Sequence, residues 1–217
     1  MRLSNRIVFA SLNDHKLHEF RTLLSSYGEF ELVPAADLIR NSGQLGLVEK
    51  YNTYEENAAA KARLANMASH YPALADDSGL EVKALGNRPG PKSNRFSPPQ
   101  PEISQDQANC RLLMSEMARL LPKDPVSTDR SARFVASLAL MIEGILIRST
   151  GVLEGSIAES PRGSNGFGYD PLFIPTGSSK TLAEMSNSEK NAISHRSKAL
   201  QDLMAQVAAM NLVFAKP

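Results

Sequence analysis

Two apolar runs, residues 132–142 and 145–153, are separated only by Glu143 and Gly144. So short a link predicts an antiparallel hairpin, because a two-residue connection returns the chain beside itself and glycine accepts the left-handed backbone such turns use. Around this hairpin, strand and helix patterns alternate. Residues 7–10 are a short buried-strand candidate, followed by polar residues and a helix with Leu17, Phe20, Leu23 and Leu24 on one face. Residues 30–33 read as a second strand, and residues 37–52 show no firm period and read as irregular. Thr53-Tyr54-Glu55-Glu56 has the form of a capping box, the Thr53 hydroxyl bonding the Glu56 amide while that carboxylate reaches back. The alanine-rich helix it opens is expected to end near His70, before Pro72. Leu74 and Ala75 are expected as a short strand ending in Asp76-Asp77-Ser78-Gly79. Residues 89–101 hold five prolines and read as a surface loop. Ser104-Gln105-Asp106-Gln107 offers a second capping box for a helix reaching about Leu121, and a last helix runs from near Ser188 to Met210. Alternating elements with a central hairpin indicate an α/β fold with a mixed sheet, without repeats or a linker that compels a domain split.

Charge and cysteine usage narrow the function. With 24 basic and 23 acidic residues the net charge is +1, which disfavours a surface built to coat a nucleic-acid polymer. Cys110 is the sole cysteine, so the chain forms neither an internal disulfide nor a thiolate metal cluster, as suits a reducing cytoplasm. Its neighbours have helical character, which makes it a packed thiol. No apolar run approaches the length of a bilayer span, and the polar residues Asn13, Asp14, His15 and Lys16 soon interrupt the first one, unlike a secretory signal. A soluble, cytoplasmic protein is expected.

Several polar clusters carry chemical meaning. In residues 163–171, three glycines in six positions interleave with Phe167 and Tyr169 and lead to Asp170 before a proline. Mobile backbone, ring faces and an acid suit a flat polar ligand such as a nucleobase, although a tight turn with packed rings fits the local pattern equally. Ser11, Asn13 and Lys16 stand where a strand gives way to a helix, whose free amides and partial positive charge attract phosphate. The G-x-x-x-x-G-K-[ST] pattern of a Walker loop is missing from the chain. Asp76 and Asp77 at the end of a buried strand are costly unless compensated, and Mg²⁺ with substrate phosphates is a natural answer; a turn opened by aspartate is the alternative. Since strand neighbours point to opposite faces, one of the two need face the site. Lys61 shares a helix face with Asn57, four residues before it. Glu55 and Glu56 suit the helix dipole, whereas Glu49, outside that helix, is free to ligate a metal. On one straight helix Lys190, His195 and Arg196 would point at roughly 0°, 140° and 240°, so either the helix starts or kinks between them or one of them is only a surface charge.

In their order along the chain, these motifs resemble the inosine/xanthosine triphosphate pyrophosphatases, the Ham1-like non-standard purine nucleoside triphosphate pyrophosphatases. The resemblance runs from Ile7 to about Leu203 through Ser11-x-Asn13-x-x-Lys16, Thr53-Tyr54-Glu55-Glu56-Asn57-Ala58 with Lys61, and Ala75-Asp76-Asp77-Ser78-Gly79-Leu80. It continues through Pro89-Gly90 with Ser93 and Arg95, Ala132-Arg133-Phe134, Gly166-Phe167-Gly168-Tyr169-Asp170-Pro171, and residues 189–196. Leu12, where the family usually has glycine, Lys92, and the prolines of 98–101 depart from it. The resemblance implies a single domain of two lobes with the active-site cleft between them, built on a mixed twisted sheet flanked by helices. It also implies cleavage between the α and β phosphates, a nucleoside triphosphate partner, Mg²⁺ as cofactor and a homodimer. By the same analogy Asp77 is the general base and a metal ligand, and Glu49 the second ligand. Ser11, Asn13, Lys16, Ser78, Lys190 and Arg196 hold the triphosphate, Lys61 lies in the substrate site, and Phe167, Gly168, Tyr169, Asp170 and His195 surround the base. A Maf-like pyrophosphatase of different base preference, and a catalytically silent nucleotide-binding or sensor protein, are the competing readings.

Overall fold

The computed structural model describes residues 2–120 and 129–214. The elements follow as β1 (Arg2–Leu3), β2 (Arg6–Phe9), α1 (Asp14–Leu24), β3 (Glu31–Pro34), α2 (Ala35–Leu38), α3 (Gln44–Leu47), α4 (Tyr54–Ser69) and β4 (Ala73–Val82). Then come β5 (Arg88–Pro89), α5 (Gln105–Leu120), β6 (Ser131–Ile142), β7 (Ile145–Ile157), β8 (Phe173–Pro175), α6 (Asn187–Ile193), α7 (His195–Ala209) and β9 (Val213–Phe214). The larger sheet has the strand order β3-β2-β4-β6-β7-β8, with β5 on β4, and β1 pairs separately with β9. It is mixed: β2 runs parallel to β3 and β4, whereas β5 and β8 are antiparallel to β4 and β7. The expected hairpin is present, and Glu143 and Gly144 both take positive φ, 48° and 78°.

Four expectations need correction. The strand predicted to stop at Asp76 continues for ten residues, so Asp76-Asp77-Ser78-Gly79 is strand interior and not a turn. Residues 89–101 are not simply a surface loop: Arg88 and Pro89 pair with β4, residues 90–95 form a 3-10 helix, and Ser93 and Ser97 are buried. The segment 37–52 contains the one-turn helix α3. The C-terminal helix is two helices, divided at Ser194 where ψ swings to 153°. The end predicted for α5, Leu121, lies outside the described residues.

The chain divides into two compact units, Met1–Asp77 with Ala136–Gly151 and His195–Pro217, and Ser78–Val135 with Val152–Ser194. In the first, Phe20 of α1 and Leu200 and Leu203 of α7 pack with Phe9 and Leu138. Burying each of these large side chains stabilises the fold by about 1.5–3 kcal/mol. Helix α4 belongs to the same unit but packs through small residues, Ala58, Ala62 and Ala65, beside Val8, Ala73 and Ala75. Short side chains let its axis approach the strands, so that Asn57 and Lys61 on the adjoining stripe are buried against Asp76 and Asp77 in the interior of β4. The second unit has its own core, in which Leu113 and Met117 of α5 meet Leu80, Leu172 and Phe173.

Both capping boxes mark helix starts. At Ser104 the exchange is reciprocal: its hydroxyl accepts from the Gln107 amide at 3.2 Å and its amide donates to Gln107 Oε1 at 3.1 Å. At Thr53 the hydroxyl accepts from the Glu56 amide but donates to the Glu56 carboxylate, 2.7 Å away, in place of the expected contact with its own amide.

Gly151 of β7 seats α7. A β-carbon there would overlap the His195 carbonyl oxygen and the Ala199 amide. Gly151→Ala is expected to destabilise the protein by about 2–3 kcal/mol, an overpacking cost, read as a lowered urea midpoint with an unchanged slope.

Candidate active site

In the first unit, the turn from β2 into α1 is organised by its own polar residues. Ser11 Oγ accepts the Asn13 amide at 3.2 Å, and Asn13 Oδ1 accepts the Lys16 amide at 3.1 Å, which caps the helix. Leu12 between them is 54% exposed. The Lys16 ammonium lies 2.6 Å from Asp76 Oδ2, and Arg196 Nε approaches the same oxygen at 3.5 Å. Arg196 Nη1 also donates to Glu19 Oε2 at 2.9 Å. Asp76 is wholly buried. Burial opposes its ionisation, but Lys16, Arg196 and Lys61 outweigh that cost and hold the carboxyl well below the usual aspartate range.

Asp77 has other partners. Asn57 Nδ2 donates to its Oδ2 at 3.0 Å, and Lys61 Nζ lies 3.2 Å from Oδ1. The same ammonium is 2.6 Å from Glu49 Oε1 and donates to the Asp76 carbonyl at 2.8 Å. Burial, with Glu49 nearby, pushes the Asp77 carboxyl upward against the pull of Lys61, Lys16 and Asn57. Two adjacent aspartates therefore differ in character: Asp76 is a fixed charge and Asp77 an acid with increased proton affinity. Glu49 and Asp77, the expected metal ligands, converge on one cationic point, the Lys61 ammonium.

In the second unit, residues 163–171 are held from within. Asp170 Oδ2 accepts the Phe167 amide at 3.0 Å and lies 2.7 Å from Lys190 Nζ. That ammonium is 4.9 Å from the centroid of the Phe167 ring. Gly166 has φ 75°, and a β-carbon there would strike the Asp170 carboxylate. The two rings differ. Phe167 is half-buried, whereas Tyr169 is buried and donates its hydroxyl to the Ser93 carbonyl at 2.9 Å. Tyr169 is thus a packed ring and not an open stacking face. Lys190, assigned to the triphosphate by analogy, is tied to Asp170, and Ser78 is half-buried on β4.

The chain breaks at Ser194: Lys190 lies in the last turn of α6, while His195 and Arg196 begin α7, all three buried. Sequence reasoning missed Glu19 as the partner of Arg196, although its place three residues after Lys16 puts it on the same face of α1. It also missed Asp106, which accepts the Gly168 amide at 2.7 Å across 62 positions that no local pattern could link.

The sequence model of the Ham1 family matches residues 7–206. The chain belongs to the Ham1 family. This Ham1 member is 42% identical to the dITP/XTP pyrophosphatase of Deinococcus radiodurans over 94% of both chains. It is 38% identical to that of Bacillus subtilis, over 94% of this chain and 97% of the relative. Among solved structures, the Ham1 protein of Staphylococcus aureus is 33% identical with a TM-score of 0.77, covering 94% of this chain and 99% of that one. The HAM1 protein of Coxiella burnetii is 36% identical with a TM-score of 0.76, covering 94% and 98%.

Asp76→Asn keeps the side chain's shape but leaves two buried cations facing a neutral amide, and is expected to cost about 3–5 kcal/mol of stability at neutral pH. Because the folded-state pKa of Asp76 is depressed, its contribution is complete above the unfolded value of about 3.9 and fades as pH falls through the folded value. Chemical denaturation at several pH values should show the gap between wild type and variant shrinking only in strong acid.

Proposed function

We propose that this protein hydrolyses non-standard purine nucleoside triphosphates, ITP or dITP and XTP, to the monophosphate and pyrophosphate, and so cleanses the nucleotide pool. The observation that carries the reading is the buried Asp77 carboxyl, raised in proton affinity and held by Asn57 and Lys61 beside the Lys16–Asp76–Arg196 charge cluster. The names of the relatives, dITP/XTP pyrophosphatases at about 40% identity, support the same substrate class.

In this reading Asp77, ionised, takes a proton from water as its oxygen attacks the α-phosphorus, and the bond to the αβ-bridging oxygen breaks with pyrophosphate leaving. Asn57 and Lys61 fix the orientation of that carboxylate, and positioning of this kind supplies much of the rate in phosphoryl transfer. Lys16, Arg196 and the capped start of α1 present positive charge to phosphate oxygens. Glu49 and Asp77 fit Mg²⁺, since both reach a common cation and carboxylate oxygens suit a hard ion. When bound, Mg²⁺ neutralises charge on the phosphates. Among the described residues no three His, Cys, Asp or Glu side chains converge as a metal cage, so the substrate's phosphates complete the ligand shell in this reading.

Base choice follows hydrogen-bond sense. Hypoxanthine and xanthine present an acceptor oxygen at C6 where adenine presents a donor amine. The amides of Phe167 and Gly168 are engaged by Asp170 and Asp106; the assignment of His195 to the base rests on family resemblance. No helix among the described residues is long and apolar enough to cross a membrane. With near-neutral charge and a buried thiol, this supports free nucleotides of the cytoplasm as partners in preference to nucleic acid or membrane. A homodimer is part of the proposal by family resemblance.

Incubation with ITP, XTP, ATP and GTP plus Mg²⁺ should release pyrophosphate from ITP and XTP far faster than from ATP, and chelation should stop it. Pyrophosphate from none of them refutes the activity; orthophosphate in its place refutes the site of cleavage. Asp77→Asn should keep the fold by circular dichroism and lose roughly 10²–10⁴-fold in kcat. Phe167→Ala should raise KM for ITP about five-fold or more while kcat changes little, since a ring contact binds ground and transition states alike.

A further inference from the structure

Gly168 is gripped from both sides by one helix. The Asp106 carboxylate in the first turn of α5 accepts its amide at 2.7 Å, and Cys110, one turn on, donates its thiol hydrogen to its carbonyl at 3.4 Å. Residues four apart on a helix share a face, so the spacing of Asp106 and Cys110 matches the two polar ends of a single residue. Asn109 on the adjoining stripe extends the grip, its amide donating to the Ser93 and Asn94 carbonyls at 3.2 Å. The Ser93 carbonyl is also the acceptor for the Tyr169 hydroxyl. Helix α5 thus holds the loop at Gly168 directly and at Tyr169 through Ser93. Gly168 has φ 63° and would meet nothing within 4 Å of an added β-carbon, so what fixes its conformation is the grip and not crowding.

We infer that Asp106 and Cys110 are positioning residues of base recognition, clamping Gly168 so that the neighbouring Phe167 ring and its Lys190 contact are presented in one geometry. The inference rests on the proposed function only in assigning this loop to the base. Burial, followed by the charges of Asp106 and Asp170, pushes the Cys110 thiol up to about 12, so it stays protonated and remains a donor at neutral pH. A charged acceptor makes the stronger bond and a thiol the weaker, so Asp106 contributes the larger share. Neither side chain is assigned contact with the reacting phosphates. Their loss therefore falls on affinity and selectivity.

The test is steady-state pyrophosphate release from ITP and GTP by wild type, Asp106→Ala, Asp106→Asn and Cys110→Ala, with amide hydrogen exchange of residues 166–169 in the free proteins. Asp106→Ala should raise KM for ITP about ten-fold with kcat within about two-fold, the loss of one charge-assisted bond. It should also narrow the ITP-over-GTP ratio and speed exchange at Gly168. Asp106→Asn, which retains an acceptor oxygen, should recover part of each, and Cys110→Ala should shift them in the same direction by about two-fold. Unchanged KM, ratio and exchange in Asp106→Ala overturn the inference, as does a lowered melting temperature with wild-type kinetics. Should Asp106→Ala fail to fold, the same readouts on Asp106→Asn and Cys110→Ala decide. Wild-type protein that binds ITP without releasing pyrophosphate refutes the activity alone, and ITP affinity by calorimetry then replaces KM: about ten-fold weaker binding in Asp106→Ala supports the clamp, and equal binding overturns it. Wild type that neither binds nor cleaves ITP overturns both.

Discussion

A carboxylate with no access to water, Asp76, organises the first unit. It accepts charge from Lys16 at the start of α1 and from Arg196 at the start of α7, so one buried anion ties a strand to the leading turns of two helices. Removing an ion from water costs several kcal/mol, and opposite charges at close range are what make such burial tolerable. The cost brings order: cations that would otherwise wander in solvent stand at fixed places beside Asp77. A hydrophobic substitute for this cluster would present no positive charge to an anionic ligand.

The contrast between Asp76 and Asp77 follows from partner geometry rather than residue type. Asp76 receives two close cations, and its charge is permanent. Asp77 receives an amide and a lysine whose charge is shared with Glu49 and a backbone carbonyl. Divided attention from Lys61 leaves desolvation dominant at Asp77. The small side chains of α4 make this possible, because a helix seated on alanines lies close enough for Asn57 and Lys61 to reach the strand.

Local chemistry was legible in the sequence wherever a pattern was local. The Glu143-Gly144 hairpin, the box at Ser104 and the inward stripe of α1 depend on residues within a turn or two of one another. The continuation of β4 was not legible, because Asp-Asp-Ser-Gly resembles a turn until Lys16, Arg196 and Lys61 neutralise its charges from far along the chain. Tyr169 was ambiguous for a similar reason: its hydrogen-bond acceptor, the Ser93 carbonyl, lies 76 positions away. The break at Ser194 was foreseeable only as one of two ways to reconcile three cationic side chains with helical geometry. What local pattern cannot supply is the acceptor on another segment, and Asp106 and Glu19 both belong to that class.

The junction between α6 and α7 has a consequence for how this chain can vary in length. Links between helices usually tolerate added or deleted residues, since they lie at the surface and bear few contacts. Just past this link, the His195 backbone is seated against Gly151 and Arg196 is bound to Asp76, so the start of α7 is fixed within its own unit. A residue added within the first turn of α7, after Arg196, would rotate the rest of that helix by about 100° relative to this seat, and one removed would rotate it as far the other way. The first turn of α7 is therefore closed to insertion and deletion, although it follows directly on a link between helices.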